Sequence, residues 1–281
     1  MGEGGAGADA DARLTSSPGA TVVYVVFGND SIDLSWIPSG AAEVLVVHND
    51  GEARTSAEGA ALDIVHLVPP GNLGFGAGVN LAAEHASRHR LLLVNPDTRL
   101  APEHWTALTH DVDEDDVVTI PLIDDKGVMT YSVRPYPTPI VHLLGGFRVG
   151  RLAPRSSRLR ASPALPTHEQ AFALSTHWAS GAALSLPIER FRRCGGFDPA
   201  FFLYYEDVDL CARMATAFSS MQVRLRSTTP GIHTVGASGR RSREVERIRL
   251  ESAIEWSRRQ RGLAWRVVER LLRGRLAGLR P

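Results

Sequence analysis

Three acidic residues stand directly behind five bulky ones in the stretch FFLYYEDVDLCAR, residues 201–213. The acids are Glu206, Asp207 and Asp209, and two Phe, one Leu and two Tyr precede them. Carboxylates beside an apolar run are costly to desolvate unless a cation, a metal or a proton transfer compensates them. The pattern therefore predicts a chemical role for at least one acid. The alternative is that all three cap and solvate the start of a helix.

Helical spacing would divide these acids between different tasks. If a helix begins near Glu206, Asp207 shares a face with Cys211 and Met214. Asp209 then points elsewhere. One acid can face a substrate while its neighbours pair with arginine.

A further carboxylate follows an apolar run in LLLVNPDTRL. Pro96 stiffens the turn before Asp97 and removes a competing N–H donor. A single carboxylate, together with diphosphate oxygens and water, is a usual way of holding Mg²⁺ or Mn²⁺. Asp97 could instead cap the helix that follows.

The stretch PPGNLGFGAGVNLA, residues 69–82, is a glycine-rich turn that opens a helix. Its glycines allow close backbone approach, and the helix start offers unpaired N–H groups and a positive dipole end to a phosphate. The spacing matches neither the Walker motif nor the dinucleotide-binding fingerprint. A plain turn before a helix is an equally good interpretation of this segment.

Strand and helix patterns place these motifs on one edge of a sheet. Short β-branched runs begin at Thr21, Ala42, Leu62 and Arg90, and each precedes a polar turn or loop. Helical patterns follow in GVNLAAEHASRH and around Trp105. Such alternation predicts a mostly parallel sheet that binds ligands at the carboxyl ends of its strands. We expect that rim to carry Asn29, Asp50, residues 71–80 and Asp97.

Composition limits the classes of protein that fit. The 31 basic and 31 acidic residues cancel, which argues against a dedicated nucleic-acid binder. Residues 240–281, however, hold thirteen arginines against five glutamates. Two cysteines, no signal peptide and no apolar run near 20 residues predict a cytoplasmic protein, with contact at the inner face of the membrane left open.

Three segments are expected from these shifts in composition. Residues 1–20 are rich in Gly, Ala, Ser and Asp and are predicted to be disordered. Residues 21–239 are predicted to form the catalytic domain, and the weak periodicity of residues 131–176 within it predicts a long loop or lid. Residues 240–281 predict a basic amphipathic helical extension. This extension could pack on the domain, contact a membrane as a peripheral surface, or form a homodimer.

Five motifs in order resemble the family 2 nucleotide-sugar glycosyltransferases, in their bacterial rhamnosyltransferase branch. They are NLGFGAGVN, LLLVNPDT, WASGAALSLP, CGGFDPAFFLYYEDVDLCAR and HTVGAS, within residues 21–261. The resemblance implies a GT-A type α/β fold, with a Rossmann-like sheet, an adjoining small sheet and C-terminal helices. It also implies inverting, metal-dependent sugar transfer, with L-rhamnose or a related deoxyhexose on a dTDP or UDP carrier as the donor. The acceptor would be a glycan, a lipid-linked intermediate or a small molecule such as a secondary metabolite.

The resemblance also assigns roles to residues. Asp207 becomes the general base, and Asp97 with His233 the ligands of Mg²⁺ or Mn²⁺. The predicted donor-binding and acceptor-side sets are Asn29, Asp50, Asn72, Gly76, Gly78, Asn80 and Asp97 for the donor, and Trp178, Gly181, Ala182, Tyr205 and Glu206 for the acceptor.

Some positions depart from the family's pattern. Asn95 stands where many relatives have an Asp, and His48 stands where relatives commonly have the acid that contacts the nucleoside. That contact is therefore either moved to Asp50 or missing. The alternative function is a non-catalytic module that binds a nucleotide sugar or a glycan. A nucleotidyltransferase would need a basic phosphate-gripping loop near the first strand, and the sequence has none there.

Overall fold

The computed structural model describes most of the predicted catalytic domain and nearly all of the C-terminal extension. The described residues are 19–28, 32–40, 42–52, 57–58, 62–113, 115–130, 132–140, 142, 166–234 and 243–279. The segment predicted to be disordered lies outside these ranges except for its last two residues, and much of the predicted loop or lid lies outside them as well.

Within these ranges the chain forms sixteen strands and six helices. The strands are β1 Ala20–Val26, β2 Ile32–Asp33, β3 Ala42–His48, β4 Ala57–Glu58, β5 Asp63–Leu67, β6 Arg90–Val94, β7 Thr98–Arg99, β8 Val117–Thr119, β9 Leu122–Ile123, β10 Met129–Thr130, β11 Val133–Pro135, β12 Gln170–Ala173, β13 His177–Ala179, β14 Ala183–Pro187, β15 Gln222–Leu225 and β16 Gly231–His233. The helices are α1 Phe75–His85, α2 Pro102–Thr109, α3 Ile188–Arg193, α4 Glu206–Ala217, α5 Arg243–Arg259 and α6 Leu263–Ala277.

Eight strands form the main sheet, in the order β12-β15-β8-β14-β6-β1-β3-β5. The four strands predicted from β-branched runs are β1, β3, β5 and β6, and they pair in parallel as expected. Strand β14 is antiparallel to both β6 and β8. Its first residue, Ala183, therefore pairs with Val94 at the end of β6, so the segment before β14 reaches the carboxyl rim.

Side chains of the main sheet alternate between two hydrophobic layers. In β1, Val23 and Val25 belong to one buried cluster, whereas Val22, Tyr24 and Val26 belong to the other. Helices cover both sides, as the apolar composition of these strands requires. The predicted α/β sheet is confirmed, and its rim is the place where loops from several strands converge.

Two further features lie beside the main sheet. A four-stranded sheet in the order β10-β9-β16-β7 is the adjoining small sheet. Helices α5 and α6 form the predicted C-terminal hairpin around a cluster of Leu250, Ile254, Val268 and Leu272. Among the described residues, no helix combines the length and the apolar character needed to cross a membrane.

Candidate active site

The sharp entry into α4 sets the position of its acids. Tyr204 and Tyr205 both have φ of 69°, a left-handed backbone that non-glycine residues rarely adopt. Such conformations cost about 1–3 kcal/mol each and persist where the surroundings hold them. Here the Tyr205 ring stacks on His142 and lies against Trp256, while Arg249 lies over Tyr204. The predicted helix start at Glu206 is confirmed.

Asp207 lies in the first turn of α4 and is only partly accessible. Its Oδ2 accepts a hydrogen bond from the Gly181 N–H at 3.3 Å, and its Oδ1 accepts one from the Val208 N–H at 2.9 Å. Burial raises the pKa of Asp207 to about 6, although these N–H groups and the charge of Arg134 oppose the rise. The carboxylate is thus ionised at neutral pH and holds a proton more strongly than an ordinary aspartate does.

Glu206 is buried beside it, with 6% of its surface exposed. Its Oε2 has no hydrogen-bond partner in the described part of the chain. Burial, followed by the charge of Asp207, raises the pKa of Glu206 well above its usual value. Glu206 therefore holds a proton more strongly than an ordinary glutamate does. The expectation that the neighbouring acids pair with arginine does not apply to it within the described residues.

Asp209 does form such pairs. Its Oδ2 lies 2.7 Å from Arg213 Nε, and its Oδ1 lies 3.0 Å from Arg259 Nη1. Arg213 also donates to the carbonyls of Cys194 and Gly196, which fixes the loop before α4. Asp209 is thus a structural acid, as its predicted direction away from Asp207 implied.

Asp97 and His233 come together through the small sheet. Strand β16 pairs antiparallel with β7, and the Thr234 N–H donates to the Asp97 carbonyl at 2.9 Å. This places His233 Nε2 3.2 Å from Asp97 Oδ1. A carboxylate oxygen and an imidazole nitrogen at this spacing fit one divalent cation. No set of three or more His, Cys, Asp or Glu side chains in the described ranges could hold a metal ion.

Backbone contacts connect this pair to Asp207. The Asn95 N–H, two residues before Asp97, donates to the Ala182 carbonyl at 3.0 Å. Ala182 follows Gly181, whose N–H donates to Asp207. The metal candidates and the base candidate therefore lie at the same rim, held by adjacent loops.

The glycine-rich turn packs against the loop that carries the acids. Gly74 has φ of 83°, and a Cβ there would collide with the Phe202 carbonyl. The Phe75 N–H donates to that carbonyl at 3.1 Å. A Cβ at Gly76 would lie 2.8 Å from the Phe197 Cβ and 3.5 Å from the Glu206 Cβ. Close packing of α1 on the loop before α4 thus accounts for glycine at these two positions.

The predicted donor residues on α1 also have structural contacts. A Cβ at Gly78 would lie 2.9 Å from Val25 Cγ1. The Asn80 side chain exchanges two hydrogen bonds of 2.8 Å with the backbone of Phe197. Asn72 is exposed, and its Oδ1 accepts from the Gly74 N–H at 2.9 Å. Donor binding by Gly76, Gly78, Asn80 and Asn72 stays a prediction.

At the end of β3, His48 is buried and its Nε2 lies 2.9 Å from His66 Nδ1. Burial, followed by His66, lowers the pKa of His48. Asp50 is half-buried two residues later, where a donor could meet it. Asn29 lies outside the described residues.

Sequence analysis missed two residues of this rim. Asn49 is buried, and its Nδ2 donates to the Gly74 carbonyl at 3.0 Å, which ties β3 to the glycine turn. Arg134, on β11, is the register partner of Trp178 on β13, and its guanidinium lies 5.8 Å from the Trp178 ring. The charge of Arg134 also opposes the rise in the pKa of Asp207. Arg134 lies in an irregular stretch where no periodicity pointed to it. A polar residue directly after a buried strand was the available signal for Asn49.

The predicted acceptor side is aromatic. Trp178 is half-buried and donates through Nε1 to the Pro135 carbonyl at 3.2 Å. Tyr205 contacts Trp256 of α5, and Trp265 of α6 packs against the same cluster. Gly181 and Ala182, which follow Trp178 in the chain by three and four residues, are buried. The C-terminal hairpin therefore contributes to the surroundings of the acids.

Comparison with known sequences finds similarity to one protein named a hexosyltransferase and to another named a rhamnosyltransferase. No protein-family model matches it. It is 26% identical over 181 residues to the low-salt glycan biosynthesis hexosyltransferase Agl10 of Haloferax volcanii, covering 62% of the chain and 54% of that protein. It is 25% identical over 216 residues to the rhamnosyltransferase WbbL of Escherichia coli K12, and the match covers 72% of the chain and 76% of that protein. The chain thus spans about half the length of the first of these relatives.

Comparison with solved structures identifies the fold. GalNAc-T7, crystallised with UDP, GalNAc and Mn²⁺, matches 92% of the chain and 54% of its own, with a TM-score of 0.52 and 12% identity. Residues 1–349 of S. aureus TarS in complex with UDP-GlcNAc match 93% of the chain and 72% of their own, with a TM-score of 0.52 and 13% identity. The predicted GT-A fold is confirmed, and the predicted resemblance to glycosyltransferases agrees with the names of the two relatives, one of which is a rhamnosyltransferase. Glycosyltransferase is the enzyme class that these relatives support.

Proposed function

We propose that the chain is an inverting, metal-dependent glycosyltransferase that moves L-rhamnose or a related deoxyhexose from a nucleoside diphosphate to a hydroxyl group. The observation that carries the proposal is the link from Asp207 through Gly181 and Ala182 to the loop of Asp97. This link supports the proposal, because it brings the carboxylate of Asp207 to the same rim as the side chains of Asp97 and His233. The choice of deoxyhexose rests on the relative named a rhamnosyltransferase.

Asp207 would act as the general base. Its carboxylate takes the proton of the acceptor hydroxyl while that oxygen attacks the anomeric carbon and the bond to the diphosphate breaks. One new glycosidic bond forms, the nucleoside diphosphate leaves, and configuration inverts because attack comes from the opposite face. The raised pKa suits this role, since the base is ionised at pH 7 and still binds the proton in the transition state.

If Glu206 carries a proton, the Asp207 carboxylate has no second anion beside it. Two ionised carboxylates in one buried turn repel each other, and one of them takes up a proton. A neutral Glu206 leaves Asp207 as the charged member of the pair. Its O–H can also donate a hydrogen bond to a reacting oxygen.

Asp97 and His233 would hold a divalent cation together with the donor's diphosphate. When bound, Mg²⁺ or Mn²⁺ neutralises the charge that develops on the leaving diphosphate. Asp97 supplies a hard oxygen ligand and His233 a nitrogen ligand. Their 3.2 Å contact means that little rearrangement is needed for both to reach one ion. The GalNAc-T7 structure, crystallised with UDP and Mn²⁺, is consistent with this assignment.

The test is a panel of nucleoside diphosphate sugars with and without Mg²⁺ or Mn²⁺. Thermal unfolding identifies the donor, because a ligand that binds the folded state raises its apparent stability. Release of nucleoside diphosphate, with or without an acceptor, then reports turnover. Metal-dependent stabilisation and release by one donor are expected. Donor binding without release under any condition would identify a non-catalytic binding module instead.

A further inference from the structure

The outer face of α6 carries an apolar stripe that stays exposed in the described part of the chain. Val268 and Leu272 face inward and are buried against α5. On the opposite side, Leu263, Val267 and Leu271 are 76%, 44% and 40% exposed. These three residues follow one another at intervals of four and therefore form one stripe along the helix.

Arginines border this stripe. Arg266 and Arg270 fall beside it by helical spacing, and both are exposed. Neither forms an ion pair within the described ranges. The only acidic residue in α6 is Glu269, which is half-buried toward the inner side and pairs with Arg273. The outer face thus combines apolar side chains with positive charge that no acidic residue of α6 balances.

The fold does not need this face. The hairpin is already attached through α5, where Trp256 is buried with Phe201 and Val208. Ser252 Oγ donates to the Leu203 carbonyl, and Arg259 pairs with Asp198 and Asp209. The stripe on α6 therefore adds nothing to the attachment of the hairpin, and it leaves apolar surface exposed to water.

We propose that the outer face of α6 binds the surface of an anionic lipid bilayer. Leu263, Val267 and Leu271 would enter the boundary between headgroups and acyl chains, while Arg266 and Arg270 would meet the headgroup phosphates. Charge favours lipid over a second copy of the chain. Two such faces packed together would place arginine against arginine.

The helix that carries this surface also borders the predicted acceptor side. The His142 ring contacts both Trp265, at the start of α6, and Tyr205, the residue before Glu206. The His142 ring lies 5.5 Å from the Trp265 ring, and Ile140, two residues earlier, is 66% exposed. Membrane binding itself does not depend on the proposed function. If that function holds, the geometry presents the site to acceptors anchored in lipid.

The test uses the full chain and vesicles of phosphatidylcholine with or without one third phosphatidylglycerol. Co-sedimentation is expected with the anionic vesicles at low salt and is expected to weaken steeply at high salt. Arg266→Gln with Arg270→Gln should lower the partition coefficient by about 25-fold, since each basic group near the surface contributes about fivefold. The matched control, Arg88→Gln with Arg193→Gln, changes two exposed arginines elsewhere and should bind like the unaltered chain.

A second pair of variants tests the apolar stripe. Leu263→Ser with Val267→Ser should weaken binding to anionic vesicles at least tenfold, whereas Val65→Ser with Val68→Ser, which are exposed near the sheet edge, should not. Thermal unfolding of all four variants checks that the fold is intact. The proposal is overturned if the full chain ignores anionic vesicles at low salt, or if the arginine variant binds as well as its control. A dimer that the Leu263 variant dissociates, in a chain that binds no vesicles, would instead assign the face to a second copy.

Discussion

Two parts of one helical turn treat negative charge in opposite ways. Asp209 is held by Arg213 and Arg259, whose nitrogens lie 2.7 and 3.0 Å from its carboxylate oxygens. Glu206 and Asp207 lie three and two residues earlier, their hydrogen bonds in the described part of the chain come from backbone N–H groups, and burial raises the pKa of each. A paired acid stabilises a fold, whereas a desolvated acid with backbone donors is available for proton transfer. The difference separates the structural acid of the motif from the acids assigned to chemistry.

Asp207→Asn is the strongest test of that separation. The change keeps the shape of the side chain and removes the base, so transfer should fall by about 10²- to 10⁴-fold while donor binding is retained. Steady-state rates and donor titrations measure the two effects. A variant that keeps more than half of the original turnover would refute the assignment.

The same variant should be more stable at neutral pH. A raised pKa means that ionised Asp207 is disfavoured in the folded state, so its stabilising contribution is present below the unfolded pKa near 4 and is lost as pH rises through about 6. Asparagine does not ionise and avoids that loss. We expect about 1–2 kcal/mol more unfolding free energy at pH 8 and little difference at pH 4, measured by urea denaturation. Equal stability of the two proteins at pH 8 would contradict the raised pKa.

Asp209→Asn should have the opposite signature. Removing the carboxylate takes away the buried acid that Arg213 and Arg259 both contact, which should cost about 2–3 kcal/mol of unfolding free energy. Transfer by the protein that remains folded should change far less than in the Asp207 variant. Asp198→Asn is the matched control, because it also pairs with Arg259 but at a more exposed position, and it should cost less than about 1 kcal/mol. The two roles would be reversed if the Asp207 variant were destabilised and the Asp209 variant were stable but inactive.

Asp97→Asn extends the comparison to the metal candidates. Activity of chelator-treated enzyme should return with Mg²⁺ or Mn²⁺, and the variant should need at least about tenfold more metal for half-maximal rate. Titration of activity against metal concentration measures this. Thr98→Ser, at the next residue, serves as the control and should titrate like the unaltered enzyme. Full activity in excess chelator would exclude the metal role.

Glu206→Gln should have the smallest effect. Glutamine resembles a protonated glutamate, so the rate should fall by less than about threefold. The acid limb of kcat/KM should stay near pH 6, where Asp207 loses its proton. A limb that moves clearly to lower pH would show that Glu206 is ionised in the working enzyme, and the assignment of a neutral Glu206 would be wrong.

Periodic segments and strand ends were predictable because their causes are local. Alternation and β-branching located β1, β3 and β6, and the acids of FFLYYEDVDLCAR marked the start of α4. Asp97 and His233 were expected to meet because the family motifs that carry them share a site, and the small sheet places them 3.2 Å apart. The division among the three acids also followed from helical spacing.

Other features depend on partners far away in the chain. Arg259 reaches Asp209 across 50 residues, and Asn80 reaches Phe197 across 117 residues. No spacing rule links such positions. The sequence left the glycine-rich turn open between approach to a phosphate and a plain turn before a helix, and the structure shows that Gly74 and Gly76 let α1 approach the loop before α4. Small residues permit either use, and only the packed neighbours distinguish them.

The distance in sequence between Asp209 and its partner Arg259 has a consequence for biosynthesis. A chain emerging from the ribosome exposes α4 well before Arg259 and Trp256 exist. During that interval Asp209 lacks one of its two arginines, and the pocket that later encloses Trp256 is open. The turn that carries Asp207 therefore reaches its final electrostatic surroundings late in synthesis, and a product interrupted before α5 would contain every predicted catalytic and metal-binding side chain in an incompletely assembled site.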